Sequence, residues 1–256
     1  MNRLSLIAYG AIAYILFNVA FVYMIGFLLD LSVPKAINDG AVTPLGLAIF
    51  INVGLVFLFG FFHSLMARER FKAWWTKIIP EDAERSTYVM QSALFLGLAM
   101  WQWQPIPITL WAVDGGLAWA AYATCALGVI FVLTATFLID HFELFGLRQI
   151  WSASTNRPMP KPKFVTPFLY RFVRHPMQLG MVLVLFGTPV MTVGHLIFAL
   201  SMTAYILIGL WFEERALVRE FGETYRAYQK HVPMLIPRLT PVSREKLNLS
   251  STQAAT

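Results

Sequence analysis

Long apolar runs separated by short polar connections set the layout of this chain. Residues 5–29 carry no charged side chain, and residues 45–66 carry one imidazole, His63, near their end. A third run covers 88–103 and is broken off by Pro105 and Pro107. A fourth, 116–139, is again free of charge. From 177 to 212 there is no Asp, Glu, Lys or Arg. That stretch is too long for one membrane span of ~20 residues. It predicts two antiparallel helices, 178–192 and 195–212, pivoting near Gly194. Such a hairpin returns Glu213-Glu214 to the membrane face that holds Arg174-His175. The pattern as a whole predicts an all-α, polytopic membrane helix bundle of about six spans. The last two spans form the helical hairpin, and short helices lie on the cytoplasmic side. The first run lacks a basic lead, a short apolar core and a small-residue cleavage site, so it reads as a retained helix.

Composition agrees with the pattern. The chain is 57% hydrophobic and 13% charged, against about 25% charged in an ordinary soluble domain. The formal charge of +6 could suggest nucleic acid, but its distribution points to the membrane instead. With six spans, 19 of the 20 Lys and Arg residues fall on one side, and the other side holds only Lys35. Basic loops stay in the cytoplasm, so both termini are expected there. Membrane lipids, not nucleic acid, are the expected surroundings. The expectation for organisation is one membrane domain, 1–239, followed by a Ser/Thr/Ala-rich tail, 240–256, of disordered composition.

Several polar groups stand out against this background. The stretch 157–167 has Pro158, Pro160, Pro162 and Pro167, with Lys161 and Lys163 between them, and cannot be helical. It reads as an extended surface segment that either touches anionic headgroups or forms a lid. The single cysteine, Cys125, excludes a disulfide within the chain and reads as a small membrane-core residue. No two of the five histidines are spaced i, i+4, so no metal centre is expected. His63 sits inside an apolar run, where an imidazole is a functional candidate or a hydrogen-bonding link to a neighbouring helix. His141 and Arg148 share the polar loop after the fourth run. His175 precedes Pro176, so its backbone is expected to be extended. With Tyr170, Arg171 and Arg174 nearby it marks either a polar pocket or a structural role. His195, at the tip of the hairpin, reads as structural. Glycine-rich phosphate loops, a dinucleotide fingerprint and a Gly-x-Ser-x-Gly nucleophile are all missing.

The C-terminal third resembles the membrane methyltransferase superfamily of isoprenylcysteine carboxyl methyltransferases and phospholipid methyltransferases. Arg174-His175-Pro176, Gly180, Glu213-Glu214, Leu217, Phe221-Gly222, Tyr225, Tyr228 and Val232-Pro233 carry the likeness. The wider stretch from Val33 to Pro237 is similar to the bacterial methanethiol S-methyltransferases. There the carrying residues include His63-Ser64, Glu84-Arg85-Ser86-Thr87-Tyr88, Asp140-His141-Phe142-Glu143, Phe145-Gly146-Leu147-Arg148 and Thr192-Val193-Gly194-His195. Gln178 stands where the superfamily often has an aromatic residue, and Phe62 where a polar residue is usual.

The resemblance implies an enzyme of the bacterial inner membrane that methylates methanethiol to dimethyl sulfide with S-adenosyl-L-methionine. It implies a cofactor-binding part at about 168–239, with Tyr170, Arg174, His175, Pro176, Gly180, Trp211, Glu213, Glu214, Tyr225 and Tyr228 at the cosubstrate. Carboxylates and aromatic faces suit a cationic sulfonium. The small thiol must react as its anion, and His63, His141 and Arg148 are the candidates for favouring that anion. Two other readings belong beside this one: a methyltransferase for a larger lipophilic acceptor, and a non-enzymatic membrane protein that kept the fold.

Overall fold

A computed structural model of the chain describes residues 2–31, 33–160 and 163–243. Among these residues there are ten α-helices in chain order. They are α1 (Arg3–Leu28), α2 (Leu45–Met66), α3 (Glu69–Trp75), α4 (Glu81–Trp101) and α5 (Gly115–Ile139), then α6 (His141–Leu144), α7 (Leu147–Thr155), α8 (Pro176–Phe186), α9 (Val193–Phe221) and α10 (Glu223–His231). Two short strands, β1 (Thr109–Ala112) and β2 (Val190–Thr192), and one 3-10 turn, Phe168–Arg171, complete the elements. The fold is therefore predominantly helical.

Four helices, α1, α2, α5 and α9, are long and apolar enough to cross a membrane, and the chain is an integral membrane protein. The other two expected spans are helices of another kind. α4 opens with Glu81, Asp82 and Glu84 in its first turn. α8 has only 11 residues, or ~16 Å at 1.5 Å per residue, half of a ~30 Å hydrocarbon core. It stops at Gly187, well short of 192, because Pro189 follows and the chain turns into β2. β2 pairs antiparallel with β1, with Trp111 opposite Met191. Sequence reading marked only a proline interruption there, since three- and four-residue strands leave no period to detect.

Packing follows small residues. α8 lies chiefly along α5 rather than along its chain neighbour α9. A Cβ on Gly180 would stand 2.6 Å from the Gly128 carbonyl oxygen, and one on Gly128 would stand 2.6 Å from the Gly180 carbonyl oxygen. Two glycines facing each other let the backbones touch. α9 packs on α2, where Tyr205 lies against Gly60. The core behind these contacts is apolar, with Met24, Phe27, Trp103, Leu185 and Phe198 fully buried. At the β1–β2 end, Asn52 clasps Gln104: its Nδ2 donates to the Gln104 carbonyl at 2.8 Å, and its Oδ1 accepts from the Gln104 N–H at 2.8 Å. His195 is buried and ties α9 to α8 by donating from Nε2 to the Leu185 carbonyl at 2.8 Å.

The segment 157–167 has no regular structure where it is described, while Lys161 and Pro162 lie outside the described residues. Phe164 anchors it by packing its ring against Phe221, Tyr225 and Tyr228. Of the tail expected from 240 onward, residues 240–243 are described and Val242 is buried; the rest lies outside the described residues.

Candidate active site

The site is built where α8 begins and α9 ends. His175 lies outside the helical region at φ −123° and ψ 69°, short of the fully extended backbone expected before a proline, and Pro176 opens α8 at its first position. Proline fits there because the first helical N–H has no partner in any case. The strand-like run before it is fixed by the chain's C-terminal part. The Arg174 N–H donates to the Pro233 carbonyl at 2.9 Å, the His175 N–H to the Met234 carbonyl at 3.2 Å, and the Arg238 N–H to the Phe172 carbonyl at 3.0 Å. Arg171 and Val242 bond each other twice, through the Val242 N–H to the Arg171 carbonyl at 3.0 Å and the Arg171 Nε–H to the Val242 carbonyl at 2.7 Å. Gly222, in the left-handed region at φ 57°, allows the sharp turn that folds α10 back beside α9.

Glu214 is the hub of this assembly. Arg174 grips it as a fork, Nε to Oε1 at 2.7 Å and Nη2 to Oε2 at 3.1 Å. His175 Nε2 lies 2.8 Å from Oε1, and the Tyr225 hydroxyl donates to the same oxygen at 3.1 Å. The Gln229 amide also donates to Oε2. Burial, and then the Glu214 charge, push the Tyr225 phenol up from its ordinary value, so it stays a donor. Tyr228 closes the cluster by donating to the Tyr170 carbonyl at 2.6 Å. With its lone pairs already occupied, Glu214 is an organising group.

Glu213 differs because adjacent helical residues point ~100° apart. Its side chain keeps 47% of its surface, His175 Nδ1 lies 3.8 Å away, and Gln178 reaches it at 3.4 Å. The carboxylate is within electrostatic reach of Tyr88 on α4 as well as Tyr170 and Tyr225. Burial and then this carboxylate push the Tyr170 phenol up. Glu213 is therefore the exposed carboxylate of the pair, with α4, the 168–175 segment and α10 within its electrostatic reach. Trp211 lies on another side of α9, beneath the Arg215 guanidinium at 3.4 Å. It lines a cavity of about 510 Å³ with Glu214, Gln229 and Met234. Gly180 belongs to the α5–α8 contact.

The acceptor candidates are dispersed. His63 stands on the α4 side: its Nε2 is 2.6 Å from the Tyr88 hydroxyl and its Nδ1 is 2.8 Å from Ser92 Oγ. The Ser92 hydroxyl proton goes to the Tyr88 carbonyl at 2.7 Å. Ser92 must then accept from Nδ1–H, which leaves Nε2 to accept from Tyr88. His141 is buried, stacked on Phe137 at 4.1 Å, with Tyr14 at 2.8 Å from Nε2 and Thr136 at 2.9 Å from Nδ1. Burial lowers its pKa, and Asp140 only partly offsets this. Arg148 pairs with Asp140 at 2.6 Å. Sequence reading did not single out Gln229 or Ser92, and Tyr88 stood only among the residues that carry the family likeness. The i, i+4 spacings 225–229 and 88–92 put each pair on one helix face, but nothing in the sequence said which partner that face meets.

The family described as "Phospholipid methyltransferase" matches residues 117–224, which include the Arg174–Glu214 cluster. Methanethiol S-methyltransferase 2 of Bradyrhizobium diazoefficiens is 48% identical over 237 residues, 93% of this chain and 92% of that protein. Methanethiol S-methyltransferase 1 of the same organism is 46% identical over 90% of this chain and 81% of its own length. The Mycobacterium tuberculosis methanethiol S-methyltransferase is 45% identical over 93% of this chain and 98% of its own length. No solved structure matches the chain. Near-complete coverage at this identity, with the motif residues gathered at one end of a membrane helix bundle, carries the conclusion: the chain belongs to the methanethiol S-methyltransferase family of membrane methyltransferases.

Proposed function

We propose that this protein transfers a methyl group from S-adenosyl-L-methionine to methanethiol, giving dimethyl sulfide. It acts as one domain, 1–239, in the bacterial inner membrane, with both termini cytoplasmic and about six membrane passages, the fifth made by the short α8 together with the non-helical residues 187–192 and the sixth by α9. The observation that carries the reading is the division between the two carboxylates. Glu214 is saturated by Arg174, His175, Tyr225 and Gln229, while Glu213 is accessible and has Tyr88, Tyr170 and Tyr225 within electrostatic reach, a surround that forms the proposed cosubstrate cleft. An accessible carboxylate beside phenol rings fits a sulfonium cation. The cosubstrate supplies a methyl group on positively charged sulfur. Glu213, Tyr170 and the 174–178 turn would hold that sulfur, while the strap from Pro233 to Val242 keeps the turn rigid. Fixed relative position can contribute up to ~7–11 kcal/mol to such a two-reactant step. His63 and Tyr88 line the acceptor side, and His141 and Arg148 anchor the loop that reaches α4. The names of the relatives support methanethiol in place of a larger acceptor.

Purified protein in detergent, given labelled S-adenosyl-L-methionine and a panel of thiols, should release dimethyl sulfide from methanethiol in headspace gas chromatography. Glu213→Gln should weaken cosubstrate binding in calorimetry with little change in thermal midpoint. Glu214→Ala leaves the buried Arg174 guanidinium without its anion and should lower stability, by about 3–5 kcal/mol. Absence of any thioether, or full cosubstrate affinity in Glu213→Gln, rejects the reading.

A further inference from the structure

Arg85 is a buried-side cation without an anion. It stands one turn before Tyr88 in α4, half-buried, and its Nε donates to the Leu144 carbonyl at 2.8 Å. Its guanidinium carbon lies 4.9 Å from the centre of the Tyr88 ring. Among the described residues its two terminal amino groups have neither a hydrogen-bond acceptor nor a carboxylate. Of the other arginines near the site, Arg174 is paired with Glu214, Arg148 with Asp140 and Arg171 with the Val242 carbonyl, while Arg68 and Arg215 lie over the rings of Phe212 and Trp211. The ring beneath Arg85 is fixed in turn, because the Tyr88 hydroxyl is held by His63 and His63 by Ser92. The charged and titratable groups facing this place are His63 from α2, Tyr205 and Glu213 from α9, and Glu84 and Tyr88 from α4 itself. Arg85 and Glu213 both act electrostatically on Tyr88, yet no ion pair joins them among the described residues.

We propose that the Arg85 guanidinium, stacked on Tyr88, is the anion site that receives the acceptor as a thiolate. An open guanidinium fork suits a polarisable anion, and the aromatic platform fixes its plane. Tyr88, His63 and Ser92 are positioning residues behind it. The thiol loses its proton to water, the thiolate rests against Arg85, and Glu213 holds the sulfonium on the opposite wall. The carbon–sulfur bond then forms on the thiolate. The donor's methyl–sulfur bond breaks with its electron pair returning to the donor sulfur, and both charges are neutralised. The charge pattern selects a small anionic nucleophile against a neutral one.

The acceptor assignment rests on the methyl-transfer reading above, whereas the anion site can be tested without turnover. The probe is thiocyanate, a soft monovalent anion, titrated calorimetrically into full-length protein preloaded with S-adenosylhomocysteine. Wild type should bind it, Arg85→Gln should lose about 10²-fold in affinity, a scale set by loss of one oriented donor to an anion, and Arg85→Lys should fall between. S-adenosylhomocysteine affinity should be unchanged in both variants. In turnover, Arg85→Gln should lose kcat/KM for methanethiol at pH 7 and regain part of it as pH rises and free thiolate becomes abundant, a recovery that a purely structural role does not give. Thiocyanate binding that is absent from wild type, or equal in wild type and folded Arg85→Gln, overturns the proposal. If Arg85→Gln does not fold, unchanged thiocyanate affinity in Arg85→Lys overturns it. Arg85-dependent thiocyanate binding without methylation of any thiol sustains the anion site and removes the methanethiol reading.

Discussion

At the scale of single residues, neighbours decide what each histidine and carboxylate does. Sequence reading brought forward Glu213 and Glu214 together, because adjacency carries no information about which way each points. The fold separates them: one is enclosed by Arg174, His175, Tyr225 and Gln229, and the other opens onto the cleft. His141 shows the same dependence. Its imidazole is held below its ordinary value by burial, against a smaller pull from Asp140. The unfolded chain takes up a proton near the ordinary histidine value of 6.5, while the folded protein does not until lower pH. Stability is therefore complete above that value and falls as pH drops below it. Thermal midpoints in detergent should be flat above about pH 7.5 and should decline as pH falls below about 6.5. His141→Gln should start lower and lose part of that slope. An unchanged slope would show that other groups set the acid sensitivity.

At the scale of elements, apolar length identified α1, α2, α5 and α9, since an uninterrupted run of more than twenty apolar residues has few other uses. It misjudged α8, whose apolar run continues through Gly187, Pro189 and β2 after the helix itself has stopped. The partner of α8 was also hidden, because a glycine's contact is invisible until its facing helix is known. Gly128 and Gly180 fix that pairing, and α8 begins at the site, directly after His175. Gly180→Ala adds a methyl 2.6 Å from a backbone oxygen and should cost about 1–3 kcal/mol. The shift should reach Pro176 and reduce turnover as well. Gly97→Ala in α4 meets nothing within 4 Å and should be neutral or slightly stabilising. Comparing thermal midpoint and dimethyl sulfide release in the two variants checks this. Equal effects would remove the role given to the α5–α8 contact.

At the scale of the whole molecule, the distribution of charge makes its own prediction. Lys35 is the only basic residue expected on the far side, and 19 others are expected on the near one. Reporter fusions at Asp39 and Asp114 should read as exported, and those at Thr76 and Lys163 as cytoplasmic; a reversal at two sites would reject the arrangement. The class of molecule was legible because composition and charge asymmetry are properties of the chain as written. The site was legible only as a set of residue types. Its closure depends on backbone bonds between segments some sixty to seventy residues apart, such as Arg171 to Val242, and hydrogen bonds between main chains leave no trace in side-chain identity. Those bonds also set an order of events in biogenesis. The helices can enter the bilayer one after another during translation, yet Arg174 and His175 have no fixed place until Pro233 and Met234 have been made and have folded back. The Arg174–His175 turn can therefore close only after α10 and the segment behind it have been made, which puts formation of the site after insertion of the helices that precede it.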